Sequence, residues 1–497
     1  MPMPVRYSRS SSKQARRSFS HLFQSLDLRS LLLFFSSAIL LAGCNSSGHT
    51  IVVPPAPTSV TVLLSSTAND QLTQFEFTVL NITLTNKTGS MVTLFTNPLS
   101  GGPAHFVEFM RLNANSEPLV TLNVPQDVYT SATVTFANPG FVLVTVDPTG
   151  ALTTHTDSDS SGTESATVNL ASPITVSGTA MGLLLDLQVS PSETFTAGPN
   201  GDIYTIAPIL NLTPVAISSH PANDQNGQET GIDGMVASVN APGNSFSIQT
   251  ADHVALSIQT NGSTVYQGIS AFSALTAGMF INMDAAIQSS GSLAATRIEV
   301  ADTTAVDVLM GKLLDLGPSP SVANATIIDV FGAQQQGADF AASPAFFQRY
   351  QLAANTNFRT SGQFSNVTSL PFLASFASSN LVAGQNIYVS SPAISFLAIP
   401  TTIATTVTLM PQTINGMVTS LSGSGNFQIY TVALAPNDLL TTLDSTTNVV
   451  VYVDSNTQSL NTSPIAVGSL LRFNGLLFND NGTFRMDCAQ VNDGVTE

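Results

Sequence analysis

Charge is scarce in this chain. Only 9% of its 497 residues are Asp, Glu, Lys or Arg, against roughly 25% in an average globular protein. Ser, Thr, Asn, Gln and Gly must therefore cover the surface. That suits the open faces of β-sheets better than helix surfaces, which favour Glu, Lys and Arg. Tryptophan is absent, which removes one of the large flat side chains that recognition sites use as platforms. The two cysteines, Cys44 and Cys488, are too few for a disulfide framework, so stability has to come from packing. After Ala42 no stretch sustains a helical period. The chain has no Gly-x-Ser-x-Gly elbow, no phosphate-cradling glycine loop and no His-x-x-x-His pair, so the usual signatures of hydrolases, nucleotide enzymes and zinc proteases are missing. A catalytic triad dispersed along the chain stays open, because such triads need no sequence proximity.

What is present begins with acidity. The 14 basic residues face 31 acidic ones, for a net charge of −17. Six of the basic residues (Arg6, Arg9, Lys13, Arg16, Arg17, Arg29) lie before Cys44, with only Asp27 against them. The rest is therefore more acidic still. Such a body repels phosphate backbones, so no nucleic acid is expected as a partner. Divalent cations, proteins and neutral polar ligands remain open, and no cofactor is implied. The length suggests about three domains as a prior.

The N-terminus carries the strongest signal. A basic stretch leads into Leu31–Ala42, twelve residues free of charge. This fits a signal-peptide apolar region and falls short of the ~20 residues of a spanning helix. It ends in Leu41-Ala42-Gly43-Cys44, which resembles the lipobox of bacterial lipoproteins. The resemblance implies a signal peptide over 1–43, lipidation of Cys44 and anchoring in a membrane. An uncleaved signal anchor with a chance cysteine is the competing reading. Asn45 follows the cysteine where Asp often marks inner-membrane retention in this family, which leans towards the outer membrane, on its periplasmic or cell-surface face. Residues 44–57 read as a tether, flexible in Ser and Gly and stiffened by Pro54, Pro55 and Pro57.

Residues 58–217 alternate with a period of two. Val60 and Val62 interleave with Ser59 and Thr61; Phe75, Phe77 and Val79 interleave with Glu76 and Thr78. That is the pattern of half-buried strands, here about seven or eight in a two-layer sandwich. Two segments, Val124-Pro-Gln-Asp-Val-Tyr129 into Ser131–Phe136, and Leu183–Ser190 closing with Tyr204–Leu210, resemble a lipoprotein family known as domain of unknown function 4382. Asp127 departs from the Gly usual in that family. The resemblance implies a prealbumin-like or immunoglobulin-like sandwich and no established activity. Residues 218–231 are polar and read as a linker.

Beyond the linker the chain repeats. Gly234-Met-Val recurs as Gly416-Met-Val, with Gly311-Lys-Leu between them. A later Gly-x-x-apolar motif appears at Gly278, Gly384 and Gly468, and a small residue follows it as Ala295, Ala404 and Cys488. Three copies in one order argue against chance. They resemble a second family, domain of unknown function 5666, which also has a Thr before its middle strand, here Thr264, Thr356 and Thr457. Units at 232–303, 304–412 and 413–497 would each hold five or six strands, and so small a sheet avoids open edges by closing into a barrel. In the second unit, an insert between Gly332 and Phe358 reads as a short helix or a loop.

Few residues stand out as sites. Cys488 occupies a slot that holds Ala in the other copies, so it reads as a small buried side chain rather than a nucleophile. Asp157-Ser-Asp159-Ser-Ser161-Gly162 reads either as a calcium loop or as a solvated hairpin loop; Val168 stands where an EF-hand needs its Glu, which excludes that form. His49, His105, His155, His220 and His253 are far apart and show no metal spacing. The expectation is an all-β, non-enzymatic, lipid-anchored envelope protein: a rod of one sandwich and three barrels with a structural or binding role. The alternatives are an adhesion or ligand-binding module for glycan, peptide or calcium, and a hydrolase with a dispersed site.

Overall fold

Runs of Val, Thr and Ile favour extended backbone because branching at Cβ crowds a helix and packs well on a pleated surface. A computed structural model describes residues 55–67, 72–97, 107–112, 116–156, 163–196, 203–215, 217, 228–249, 255–300, 307–318, 326–337, 346–362, 367–392, 402–436, 438–459 and 464–493. The protein is all-β, as expected. Two short α-helices, Val189–Ser192 and Leu439–Asp444, and a few single 3-10 turns are the other regular elements described.

The sandwich opens with β1 (Thr58–Ser66), β2 (Leu72–Asn86), β3 (Met91–Thr96) and β4 (Val107–Glu108). Next come β5 (Ser116–Val124), β6 (Asp127–Val146), β7 (Leu152–Thr156), β8 (Thr163–Val168) and β9 (Ile174–Val176). It ends with β10 (Ala180–Leu187), β11 (Glu193–Thr196), β12 (Ile203–Ile206) and β13 (Leu210–Val215). One sheet has the order β13-β10-β1-β5; the other runs β3-β2-β6-β7, with β4 beside β2 and β8 and β9 beside β6. The sheets thus hold four and seven strands, and β11 and β12 pair with each other as a separate two-stranded sheet, against the seven or eight strands expected. The surplus comes from β6, whose 20 residues carry β9, β8 and β7 in succession along one edge.

Strand β1 is not half-buried. Val60, Val62 and Leu64 enter the sandwich core with Phe75, Leu183 and Leu212. On its other face Thr61 is fully buried and Leu63 packs beyond the sandwich. A central strand covered on both sides loses the polar alternation that an exposed face would need.

Barrel 1 contains β14 (Gln228–Asn240), β15 (Ser245–Gln249), β16 (Leu256–Gln259), β17 (Val265–Gln267), β18 (Phe280–Ile287) and β19 (Leu293–Val300). Its first strand begins inside the segment expected to be a linker. Barrel 2 contains β20 (Asp307–Pro318), β21 (Thr326–Gly337), β22 (Phe346–Thr360), β23 (Asn386–Ser391) and β24 (Thr402–Leu409). The expected helix or loop after Gly332 is largely the extension of β21 and the start of β22; 338–345 lie outside the described residues. Barrel 3 contains β25 (Gln412–Ser424), β26 (Phe427–Leu434), β27 (Asn448–Val453), β28 (Gln458–Ser459), β29 (Leu470–Asp480) and β30 (Thr483–Asp493).

Each barrel closes in the same way. In barrel 2 the first strand pairs with the second and fourth, the fifth with the fourth, and the third runs parallel to the fifth; barrels 1 and 3 keep this order, with β17 and β28 as an extra short strand that lies beside the third strand's parallel partner. This is the OB-fold, a five-stranded Greek-key barrel. The repeated residues occupy equivalent places. Gly234, Gly311 and Gly416 lie opposite Ile281, Ile387 and Leu471. A Cβ at Gly311 would strike the Phe331 carbonyl, and one at Gly416 the Ala433 carbonyl. Gly278, Gly384 and Gly468 have φ of +89°, +95° and +90°, the region open to glycine.

The four parts belong to one compact unit from Pro55 onward. Leu63 and Val215 of the sandwich join the core of barrel 1. Val144 packs against Leu314 and Phe331 of barrel 2. Arg472 of barrel 3 donates to the Ser66 carbonyl at 3.4 Å. The sandwich has apolar side chains on its outer faces, and the barrels fold back to cover them.

Candidate functional site

The densest polar constellation among the described residues lies between barrels 1 and 2. Asp233 on β14, Asn282 and Asp284 on β18, and Arg297 and Glu299 on β19 alternate with core residues Ile232, Met283 and Ile298. Period two turns them outward from the barrel, yet all five are buried. Arg297 donates from Nε to Asp284 Oδ2 at 2.7 Å and from Nη2 to Oδ1 at 3.1 Å. Its Nη1 reaches Glu299 Oε2 at 3.1 Å, and Nη2 also meets Asn282 Oδ1. Asn282 Nδ2 donates to Asp233 Oδ1 at 2.8 Å.

Barrel 2 completes the cluster. The Tyr388 hydroxyl donates to Asp233 Oδ1. The Gly362 amide donates to Glu299 Oε2 at 2.8 Å, and Ser361 Oγ to the same oxygen at 3.3 Å. Arg359 Nη2 lies 3.8 Å from Glu299 Oε1 and donates to the Val300 carbonyl at 3.2 Å. Burial alone would lower the Arg297 pKa, but the charges of Asp284 and Glu299 outweigh it and hold the guanidinium protonated. Burial, and then the Asp233 charge, push the Tyr388 hydroxyl well above its ordinary range, so it stays a donor. These groups are engaged with one another. No group of three or more His, Cys, Asp or Glu side chains suited to a metal occurs among the described residues. What the cluster can do is fix one barrel against the next.

A second feature lies on barrel 3. In OB-folds the face of the second and third strands commonly takes ligands. Here Tyr452 on β27, Phe427 on β26 and Arg485 on β30 cluster with Phe372, which comes from the segment between β22 and β23. The Phe372 ring lies 4.8 Å from that of Tyr452 and 5.8 Å from that of Phe478. Arg485 Cζ sits 5.6 Å from the Phe372 centroid and 5.9 Å from that of Tyr452, within cation–π range. Its Nε donates to Asp480 at 2.8 Å. Phe372 thus packs over this face of barrel 3. The equivalent strands of barrel 1 carry Ser247, Ser257 and Gln259. In barrel 2 they carry the Asp329–Arg349 ion pair, with donor distances of 2.7 and 2.5 Å.

The repeated threonines have a shared role. Thr264, Thr356 and Thr457 donate from Oγ1 to the carbonyls of Ala295, Ala404 and Cys488, each at 2.8 Å. Each Oγ1 also accepts an amide three residues earlier, from Asn261, Ala353 and Asp454. The two sequence signals, a Thr and a small residue, are the two ends of one hydrogen bond that ties the Thr segment to the last strand of its barrel. Cys488 is buried in the barrel 3 core, and burial pushes its thiol far above the range of a nucleophile. Asp127 accepts from Asn86 Nδ2 at 2.6 Å and from the Val128 amide at 2.7 Å, which hold its carboxyl below the usual range. His155 lies on β7 with its Nε2 3.3 Å from Thr145 Oγ1. Cys44, Asp157, Asp159, His49, His105, His220 and His253 lie outside the described residues. The cluster around Arg297 was missed from sequence; its only trace is the polar period on β18 and β19, which reads equally as a solvated face.

With this geometry in hand, comparison with known families is specific for one part. A domain described as Domain of unknown function (DUF5666) is found at residues 233–299. That span is barrel 1. No curated protein matches the chain. Solved structures similar to it include the single-stranded DNA binding protein from Thermus aquaticus, 14% identical, covering 38% of this chain and 93% of that one at a TM-score of 0.15. A deletion mutant of the same protein matches with 14% identity, 38% and 94% coverage and the same TM-score. The expected partners are corrected by this finding. Acidity argues against nucleic acid, whereas the similar structures are of a single-stranded DNA binding protein, and none of the matches bears on a membrane partner. Net charge is a property of the whole molecule and does not dictate the potential of one face. At that TM-score the likeness carries no argument for what this chain binds.

Proposed function

We propose that the chain is a lipid-anchored cell-envelope protein with a structural or binding role and no catalytic activity. The observation that carries this reading is the run Leu31–Ala42 ending in Leu41-Ala42-Gly43-Cys44, which resembles a lipoprotein cleavage and lipidation site. The absence of catalytic motifs in the sequence supports a non-enzymatic role. On this reading residues 1–43 are removed, and acyl chains on Cys44 anchor the body, since each buried CH₂ contributes ~0.8 kcal/mol. The outer membrane is its proposed place, from Asn45. The sandwich is read as a relative of domain of unknown function 4382. Barrels 2 and 3 are read as further copies of barrel 1's family, supported by the threefold Thr-to-carbonyl bonds.

The test is fatty-acid labelling and membrane fractionation of the chain beside Cys44→Ser. The expected result is label and membrane retention in the first and loss of both in the second. Equal retention without label would remove the anchor. Protease shaving of intact cells then separates a surface-exposed protein from a periplasmic one.

A further inference from the structure

Each barrel presents an equivalent pair beside its glycine turn. One member follows the opening glycine; the other stands two places after the turn glycine. The pairs are Met235 with Phe280, Lys312 with Asn386, and Met417 with Leu470. In each of the first two, one member packs against the residues that lead into or form the next barrel. Phe280 is 5% exposed; its ring lies 5.6 Å from that of Tyr388, with Val308 and Met410 in the same cluster. The Asn386 amide donates to Gln412 Oε1 at 3.0 Å, and Asn386 Nδ2 to the Pro411 carbonyl at 3.1 Å. The third pair is open. Met417 is 48% exposed, Leu470 37%, and Val467, in the turn before Leu470, 62%.

A single exposed methionine needs no explanation. An apolar set at a place where the other two barrels meet the following unit is different, because an array of stacked units needs a polar outer face on its last member. The chemistry of the surroundings agrees. Residues 412–436 and 455–471 contain no Asp, Glu, Lys, Arg or His. In a chain of net charge −17, two copies can approach here without like-charge repulsion. We propose that this face of barrel 3 is the interface between two copies of the chain. Met417, Leu470 and Val467 pack against the same residues of the second copy, about a two-fold axis that makes an apolar patch its own complement. The interface is independent of the lipid anchor.

Sedimentation velocity of the full chain, in a density-matched mild detergent and over a wide concentration range, tests it. The expected result is a monomer–dimer equilibrium. In the double variant Met417→Lys, Leu470→Lys, the dissociation constant should rise roughly a hundredfold or more. The unfolding midpoint should not move, because both side chains are exposed in the monomer, and Met417→Leu should keep the dimer. A chain that stays monomeric throughout overturns the proposal. So does a double variant that dimerises as tightly as the parent, or a monomer whose Met417 face is instead taken by lipid vesicles or by another protein.

Discussion

Barrel 1 meets barrel 2 through ions, and barrel 2 meets barrel 3 through rings and amides. At the first junction Arg297 lies among Asp284, Glu299 and Asn282, and Tyr388 reaches across to Asp233. At the second, Leu370, Leu409, Leu476 and Phe478 form an apolar cluster. Beside them Gln385 Nε2 donates to the Leu477 carbonyl at 3.0 Å, and Val382 enters the core of barrel 3 with Leu440. The barrels share one topology, so topology does not choose the chemistry of a junction. The difference should show in what each junction tolerates. An apolar contact loses roughly what is removed, while a buried ion cluster punishes the loss of one member through the charges left behind.

The largest expected effect is therefore Arg297→Met, which leaves buried carboxylates without their counter-ion and should cost about 3–5 kcal/mol in urea unfolding. Adding Asp284→Leu should return part of that loss; a double variant as unstable as the single one would mean that lost packing, not unpaired charge, is responsible. Leu476→Ala at the other junction should cost about 3 kcal/mol as a cavity, with little dependence on salt or pH. Tyr388→Phe keeps the ring against Phe280 but removes a donor to a charged acceptor, for about 1–3 kcal/mol. Thr264→Val, Thr356→Val and Thr457→Val should each cost about 1 kcal/mol. Unequal losses among the three would break the equivalence of the barrels.

A separate effect concerns pH. Burial, and then Asp454, push the Asp487 carboxyl up to about 6. The folded state therefore holds that proton more tightly than the unfolded chain. This group's contribution to stability is full below the unfolded pKa near 4 and is lost as pH rises through about 6. Asp487→Asn should flatten this part of the pH profile and raise stability at neutral pH. A profile unchanged by the substitution would place the titration elsewhere.

The features legible in the sequence are those that constrain the backbone. Gly278, Gly384 and Gly468 recur because the turn needs positive φ. Thr264, Thr356 and Thr457 recur because one hydroxyl ties two strands at the same place. The closed barrels follow from such repeats. Contacts between folded parts were not legible. Asp284, Arg297 and Glu299 alternate with core residues just as a wet barrel exterior would, and only the docking of barrel 2 buries them. Leu63 likewise gives no hint that its face of β1 is covered. Period two tells which side of a strand a residue takes, not what lies against that side.

Strand β1 carries a consequence for time. It lies at the centre of its sheet, antiparallel to β5 and parallel to β10, so Val62 pairs with Val120 on one side and Leu183 on the other. A chain released from its N-terminus onward delivers this apolar strand well before β5 and longer still before β10. Until residue 187 is free, β1 has one edge without a neighbour, and its Leu63 face waits for barrel 1. Pairings so distant along the chain form slowly, and an unpaired apolar strand is an aggregation template meanwhile. The residues placed earliest are thus the ones that must wait longest, and the interval is set by the rate at which the next hundred or so residues are delivered.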